Sequence, residues 1–235
     1  MTGDGRDDLW EEVIDLANVF ADWVLVGGLM VSLWARHSGV QMTRTTDDID
    51  ALFRAEAYLG QPQRSVEAIL RRGYRLDEGH PVDTLGKDST AFRFHRDGIT
   101  LDVLVPDKFA TANNPPRTVP PYVPSMVPGG SYALRHYEVV EVVCNDQAGP
   151  VPIASPLGGL LMKRRAQQAD TGAAAARHGD DIAVLWAAIP DPLAVDVSKN
   201  ERKVLRGAAS NAHWGVLGAD AEEAGRAAAD LILND

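Results

Sequence analysis

The N-terminal part of the chain alternates between helical and extended patterns of apolar residues. Apolar positions 9, 13, 16, 17 and 20 share one helical face, which predicts an amphipathic helix over about 7–21. A short apolar run predicts a strand over 23–26, and a helix over about 28–36 follows it. Polar and apolar residues then alternate over 48–53, as in a half-buried strand. The order predicts helices packed on a sheet.

The middle of the chain contains a hairpin pattern. Apolar spacing predicts a helix over 65–72. Two alternating runs, 91–95 and 99–105, then flank the dipeptide Asp97-Gly98. Because Asp-Gly favours the tight two-residue turns of hairpins, these runs are predicted to be adjacent antiparallel strands.

The C-terminal third changes from strands to helices. A valine-rich run predicts a strand over 137–144, and a short extended stretch over about 151–155 follows. Helical patterns then cover about 155–169, 177–188, 198–209 and 219–233. The sequence therefore predicts an α+β fold, in which a mixed sheet with flanking helices precedes a C-terminal helical region. We expect two domains, residues 1–153 and 154–235.

A proline-rich segment interrupts the regular patterns between positions 106 and 128. It holds seven of the fourteen prolines, including two Pro-Pro pairs. Proline lacks a backbone N–H and fixes φ, so neither a regular helix nor a central strand is expected throughout this segment. It is predicted to be a long ordered loop or a lid, with a passive surface excursion as the alternative.

Composition narrows the class of protein. The 235 residues are 45% apolar and 24% charged, which is typical of a globular chain. No apolar run is long enough to span a membrane, and the first eight residues are too polar for a secretory signal. The single cysteine, Cys144, permits no internal disulfide and suits a cytoplasmic location. The net charge of −10 argues against a broad nucleic-acid-binding surface, although not against a local basic groove.

Two carboxylates on one predicted strand are the main candidates for chemistry. Asp48 and Asp50 are two residues apart, so their side chains should share one face with Cα atoms roughly 6.6–6.8 Å apart. Paired carboxylates repel each other unless a cation neutralises them, and Mg²⁺ prefers such hard oxygen ligands. Upstream, Gly27 and Gly28 allow a sharp turn and a close backbone approach to a ligand. Downstream, Asp102 is the one charge in an apolar strand.

These motifs resemble the nucleotidyltransferase superfamily typified by DNA polymerase β. The resemblance covers about residues 20–190 and is carried by Gly27-Gly28, by Asp48-Ile49-Asp50-Ala51, and by Asp102 on a later strand. With Arg44 and Thr46 included, the pattern is similar to the AbiEii/AbiGii toxin branch, which contains the MenT-type toxins that modify transfer RNA. The resemblance implies a polymerase-β-like fold, with Asp48, Asp50 and Asp102 as metal ligands.

A second part of the same pattern lies in the helical half. Lys163, in Lys-x-x-Ala, and Asp181, followed by apolar residues, match the downstream positions of the toxin branch. The resemblance implies that Lys163 binds the nucleotide triphosphate and that Asp181 orients Lys163 or assists the acceptor hydroxyl. The sequence departs from the branch at Asp180, where a basic residue is common, and at Val184, where a second acid is common.

The resemblance implies a Mg²⁺-dependent enzyme that transfers a nucleoside monophosphate from an NTP to an acceptor hydroxyl. Two ions, Mg²⁺ or Mn²⁺, would be held about 3.5–4 Å apart. Gly27 and Gly28 would approach the triphosphate, Arg44 or Thr46 would brace the metal strand or touch phosphate, and the helical domain would close the cleft. The acceptor implied is RNA, at the 3′ end of transfer RNA, with a cognate antitoxin as partner.

Two other functions fit the same residues. An antibiotic nucleotidyltransferase of the aminoglycoside or lincosamide type shares the Gly-Gly and Asp-x-Asp elements and predicts an acidic acceptor cleft. RNA instead predicts a cleft lined by Lys163, Arg164, Arg165 and Arg177. A catalytically silent binding module would keep the fold without turnover and bind no Mg²⁺-NTP.

Overall fold

One mixed β-sheet organises the described part of the chain. The computed structural model describes residues 7–41, 46–54, 61–77, 90, 92–107, 117–119 and 122–234. The sheet has eight strands: β1 (Trp23–Val26), β2 (Asp48–Phe53), β3 (Arg75–Leu76), β4 (Arg93–Arg96), β5 (Ile99–Pro106), β6 (Ser125–Val127), β7 (Tyr137–Cys144) and β8 (Gln147–Ala154). Their order is β3-β4-β5-β2-β1-β8-β7, with β6 paired to the last residues of β5.

The central strands are β5, β2 and β1. β2 is parallel to β5 and antiparallel to β1, and β1 is in turn parallel to β8. All four residues of β1 are buried, and β5 is buried at every position except Thr100. Strands covered on both faces need such continuous apolar runs. The candidate acids on β2 and β5 therefore stand on central, largely buried strands of the sheet.

Helices account for most of the remaining described residues. They are α1 (Asp7–Ala17), α2 (Gly27–His37), α3 (Gln61–Arg71), α4 (Gly130–Ala133), α5 (Pro156–Ala169), α6 (Gly172–Ala187), α7 (Lys199–Ser210) and α8 (Ala219–Asn234). α1 packs on β7 and β8, whereas α2 packs on β1, β2, α5 and α6. The predicted α+β class, a mixed sheet with flanking helices, is confirmed.

Several predicted boundaries need correction. α1 ends at Ala17, four residues earlier than predicted, and Asp22 then turns the chain with a positive φ of 55°. α6 starts at Gly172 rather than near 177, because a run of four alanines extends it. The predicted short stretch at 151–155 is the end of an eight-residue strand, β8. Its prolines, Pro150 and Pro152, are two residues apart and so remove N–H groups from one strand edge only.

The proline-rich segment is only partly within the described residues. Positions 108–116 and 120–121 lie outside them, so the predicted lid stays a prediction. The end of the segment is not a loop, because Ser125–Val127 forms β6 against Leu104–Pro106. This strand pairs only with the last part of β5, which explains why prolines on both sides of it are tolerated.

The sheet-bearing and helical halves share one hydrophobic core. Buried residues of α5, α6 and α7 belong to the same cluster as those of α1, α2 and the central strands. The indole Nε1 of Trp34 donates a hydrogen bond of 2.7 Å to the carbonyl of Ala154, which fixes α2 to the end of β8. The domain boundary near 154 stays a prediction, and the shared core holds the two halves in one arrangement. Among the described helices, none has the length and apolar character needed to cross a membrane.

Candidate active site

A cleft of about 370 Å³ lies between the sheet and the helical half. Its walls include most of the residues that the sequence singled out: Gly27, Gly28, Thr46, Asp48, Asp50, Asp102, Lys163 and Asp181. The strands β2 and β5 supply Asp48, Asp50 and Asp102, the start of α2 supplies the two glycines, and Thr46 lies just before β2. The helices α5 and α6 supply Lys163 and Asp181. Arg44 lies outside the described residues. Residues separated by more than a hundred positions therefore meet in one cleft.

The strand register brings the three predicted acids together. Asp50 is the direct register partner of Asp102 across the parallel β2–β5 pair. Neighbours in register point to the same face of a sheet, and Asp48 shares that face with Asp50 because side chains alternate. On the other side of β2, Asp50 is opposite Val26, the last residue before the Gly-Gly turn. The acids thus lie beside that turn.

The two glycines at the start of α2 are required by this close approach. Gly27 has a φ of +72°, and a Cβ there would overlap the carboxylate of Asp50. A Cβ at Gly28 would overlap the side chain of Thr46. At the N-terminus of α2, the N-cap residue Val26 makes no side-chain hydrogen bond to the first backbone N–H groups of the helix. Helix N-termini of this kind attract anions such as phosphate.

Gly27→Ala should therefore damage the site as well as the backbone. We expect a loss of about 1–2 kcal/mol in the free energy of unfolding from the left-handed conformation. Overlap with Asp50 adds to this loss and should abolish cation binding. Gly39→Ala is the matched control, since Gly39 has a φ of +70° but open space around it. Urea unfolding and Mn²⁺ titration would measure both effects; equal losses of stability with normal Mn²⁺ binding would contradict this interpretation.

A hydroxyl and a guanidinium hold two of the acids. Thr46 Oγ1 donates a hydrogen bond of 2.9 Å to Oδ1 of Asp48 at the start of β2. Arg93 donates from Nε to Oδ1 of Asp102 at 2.8 Å and from Nη2 to Oδ2 at 2.7 Å. The same Nη2 is 3.6 Å from Oδ2 of Asp48. Arg93 thus binds Asp102 through two of its guanidinium nitrogens and lies close to Asp48.

Sequence reasoning missed Arg93, although a signal for it was present. A two-residue turn at Asp97 and Gly98 fixes the register of the hairpin that the sequence predicts. Counting outward from that turn pairs Arg93 with Asp102, as the structure has it. An arginine directly opposite the one acid of an apolar strand could have been identified as its partner.

The electrostatics of the cleft are dominated by crowded carboxylates. Desolvation, followed by the charges of Asp48 and Asp102, raises the pKa of Asp50 to about 7, while Lys163 and Arg93 lower it less strongly. Desolvation likewise raises the pKa of Asp102, against the hydrogen bonds from Arg93. A carboxylate whose ionisation is opposed in this way would be stabilised by a cation.

Lys163 and Asp181 form a buried ion pair on the helical side of the cleft. The Lys163 Nζ lies 2.7 Å from Oδ2 of Asp181, and the two residues are only 6% and 1% exposed. Because α6 begins at Gly172, Asp181 lies in the middle of the helix rather than at its start. The pair fits the predicted orienting role of Asp181 and brings the Lys163 charge close enough to lower the pKa of Asp50.

The donor set of the cleft suits a hard divalent cation. Asp48 and Asp50 offer carboxylate oxygens on one face, and burial, followed by the charges of Asp48 and Asp102, raises the pKa of Asp50. Within the described residues, no three His, Cys, Asp or Glu side chains are arranged as a complete metal centre. Both oxygens of Asp102 accept hydrogen bonds from Arg93. Asp48 and Asp50 could therefore hold a divalent cation in this arrangement, whereas both oxygens of Asp102 are occupied by Arg93.

Comparison with known proteins yields no relative: no family model, curated protein or solved structure matches this chain significantly. Function must therefore be inferred from the residues of the cleft and from their arrangement.

Proposed function

We propose that this protein is a divalent-cation-dependent nucleotidyltransferase with a polymerase-β-like fold. It would transfer a nucleoside monophosphate from an NTP to an acceptor hydroxyl. The observation that carries the proposal is the shared cleft, in which the acids of β2 and β5, the uncapped N-terminus of α2, and Lys163 face one another. Acids for a cation and donors for a triphosphate are the two components that this chemistry needs.

The acids and the Gly-Gly turn have separate roles in the proposed site. Asp48 and Asp50 would hold Mg²⁺ or Mn²⁺, which supplies positive charge to phosphate oxygens when bound. The N–H groups at Gly27 and Gly28 would donate hydrogen bonds to the triphosphate. The acceptor oxygen attacks the α-phosphorus, the bond between that phosphorus and the α–β bridging oxygen breaks, and pyrophosphate leaves. We assign acceptance of the hydroxyl proton to Asp102.

The cations of the helical half would complete the triphosphate site. Lys163 is fixed by Asp181, so its ammonium acts as a positioned point charge rather than a mobile one. Arg177 lines the same cleft and is exposed, and it makes no ion pair within the described residues. An exposed guanidinium at the mouth of the cleft suits binding of a phosphate from the nucleotide or from the acceptor.

RNA is the acceptor that we propose, with transfer RNA as the first substrate to test and a toxin with a cognate antitoxin as the biological setting. Of the four basic residues expected along an RNA-binding cleft, Lys163 and Arg177 line it. Arg165 lines a neighbouring cleft beside α7, whereas Arg164 bonds to Gln167. Two basic side chains thus line the cleft, although the net charge of the chain is −10.

A cationic antibiotic is the second candidate acceptor, because the cleft is rich in acids. Five aspartates line it: Asp48, Asp50, Asp102, Asp170 and Asp181. Asp181 pairs with Lys163, and Asp102 pairs with Arg93. His178 lies 2.8 Å from Asp170, but burial lowers the pKa of His178, so the available charge is that of Asp48, Asp50 and Asp170. A bound cation would neutralise Asp48 and Asp50 during turnover, which favours RNA over a drug.

A labelling experiment separates the candidates. The protein would be incubated with each α-phosphorus-labelled NTP and Mg²⁺, together with total RNA, purified transfer RNA or an aminoglycoside and lincosamide panel. We expect label in RNA, concentrated in transfer RNA. Label in a drug alone would support the antibiotic enzyme. Binding of no Mg²⁺-NTP and labelling of no acceptor would support a silent binding module.

Cation binding should depend on pH through Asp50. Its pKa is raised to about 7, so the carboxyl is protonated below that pH and must lose a proton before it can bind Mg²⁺. Mg²⁺ affinity should therefore weaken by up to about tenfold per unit as the pH falls from 7 to 5. Calorimetry at pH 6 in buffers of different ionisation enthalpy should detect close to one proton released per binding event. A flat profile between pH 5 and 8 would contradict the role of Asp50.

A further inference from the structure

Arg93 occupies the space between two of the acids that we assign to the cation site. Its guanidinium donates two hydrogen bonds to Asp102, at 2.8 and 2.7 Å, and lies 3.6 Å from Oδ2 of Asp48. A cation bridging the same two carboxylates would need to be about 2.0–2.1 Å from an oxygen of each. The guanidinium and such a cation cannot both be there, because their volumes overlap and their charges repel.

Arg96 lies on the opposite face of β4 from Arg93 and provides a structural ion pair for comparison. Arg96 pairs with the buried Glu12 and lies over the ring of Tyr74, with 22% of its side chain exposed. Arg93, by contrast, is 41% exposed and bonds to an acid that lines the cleft. Besides the two acids, the ring of Phe92 lies 5.9 Å from the guanidinium carbon. Because its guanidinium already contacts solvent, Arg93 can turn away from the acids at a low cost in free energy, whereas the more buried Arg96 cannot.

We propose that Arg93 is a built-in counter-ion of the acid cluster. In the cation-free protein it neutralises Asp102 and part of the charge on Asp48, which keeps these carboxylates together despite their repulsion. When a divalent cation binds, Arg93 releases Asp102 and turns toward solvent. Asp102 then becomes available to the cation and to the acceptor hydroxyl. This inference rests on the cation site of the proposed function.

The consequence is that Arg93 opposes cation binding. Each charge-assisted hydrogen bond is stronger than a neutral one, and a bound cation must replace two of them. Solvent exposure of the guanidinium reduces the effect. Removal of Arg93 should therefore tighten cation binding by about tenfold, the equivalent of one such bond. A residue that only positioned Asp102 for the cation would show the reverse, since its loss would weaken binding.

Mn²⁺ titration followed by electron paramagnetic resonance measures this directly. All variants are titrated at the same pH, 8, which lies above the pKa of about 7 of Asp50 in the wild-type protein. Arg93→Gln should bind Mn²⁺ about tenfold more tightly than wild type. Arg75→Gln is the charge-matched control, because Arg75 is exposed on β3 and outside the cleft, and its affinity should equal that of wild type.

The outcomes separate the two proposals. Wild-type protein that binds no Mn²⁺ would remove the cation site itself. Wild-type binding combined with equal or weaker binding by Arg93→Gln would overturn the counter-ion role alone. If that variant does not fold, Arg93→Lys provides the test: a lysine cannot donate both parallel bonds, so affinity should rise by about threefold. A crystal of wild-type protein with Mn²⁺ gives a readout without any variant, since the Nε–Oδ1 contact of 2.8 Å should be broken. An intact contact overturns the proposal.

Discussion

Asp50→Asn should abolish nucleotidyl transfer and leave the protein folded. Asp50 lies in register with Asp102 and beside the Gly-Gly turn, so it is the most central carboxylate of the cleft. Charge stabilisation by a held cation contributes several kcal/mol to a transition state, so its loss should lower the rate by about a thousandfold or more. Single-turnover kinetics with labelled NTP would measure the loss.

The same substitution should stabilise the cation-free protein. This gain in stability would distinguish Asp50, as an acid kept for function, from an acid that stabilises the fold. The pKa of Asp50 is raised to about 7 from a normal value of 3.8, so the unfolded state loses its proton first as the pH rises. The stabilising contribution of the neutral form is thus present below about pH 4 and is lost as the pH rises to 7. Because asparagine cannot ionise, the Asp50→Asn protein does not lose this stability as the pH rises. Its melting temperature at pH 8 should therefore equal or exceed that of wild type.

A matched control makes the result interpretable. Asp146 is exposed in the turn between β7 and β8, and Asp146→Asn changes the net charge equally. It should retain the wild-type rate, and its stability should change by less than about 0.5 kcal/mol. Normal transfer by Asp50→Asn, or a large drop in its melting temperature at pH 8, would be incompatible with the assigned role.

Lys163→Ala should have the largest effect on stability of any single change in the cleft. It leaves the carboxylate of Asp181 buried without its ammonium partner, and breaking a buried ion pair costs about 3–5 kcal/mol in the free energy of unfolding. It also removes a positive charge from the triphosphate site, which should reduce NTP affinity or the rate roughly tenfold to hundredfold. Lys203→Met, on the exposed face of α7, should change neither quantity measurably.

A double substitution separates these two effects. Lys163→Met combined with Asp181→Leu replaces the pair by apolar side chains of similar size, which is often neutral or stabilising. We expect chemical denaturation to show wild-type stability or better, with transfer still reduced to the level of Lys163→Ala. Recovery of transfer together with stability would mean that the pair serves the fold alone. The helical half would then have no part in the chemistry.

Local sequence patterns were sufficient to predict most of the helices and strands, and to place Asp48 and Asp50 on one face of a strand. Alternation on a single strand put Asp48 and Asp50 together, and the Asp97-Gly98 turn identified the β4–β5 hairpin. Those inferences need only the side-chain periodicity of a strand and the conformational preference of a turn. The proposed role of Asp102 came from family resemblance, but its position beside Asp50 depends on strands far apart in sequence. No local signal shows that β5 lies next to β2.

The interactions that the sequence did not reveal are the ones made between elements. The burial of Lys163 against Asp181 depends on how α5 packs on α6, and periodicity gives no relative rotation of two helices. The bidentate contact of Arg93 depends on a side-chain conformation as well as a register. The extra length of β8 was hidden by its two prolines, which normally argue against a strand.

The fate of the α- and γ-phosphorus atoms distinguishes nucleotidyl transfer from other reactions of an NTP. Parallel reactions would contain Mg²⁺, transfer RNA and an NTP labelled on one phosphorus or the other. A nucleotidyltransferase should place the α label in the RNA, release the γ label as pyrophosphate in equal amount, and do neither when Asp50 is replaced by Asn. Transfer of the γ label to an acceptor, its release as inorganic phosphate, or α labelling that persists in the Asp50→Asn protein would contradict the account.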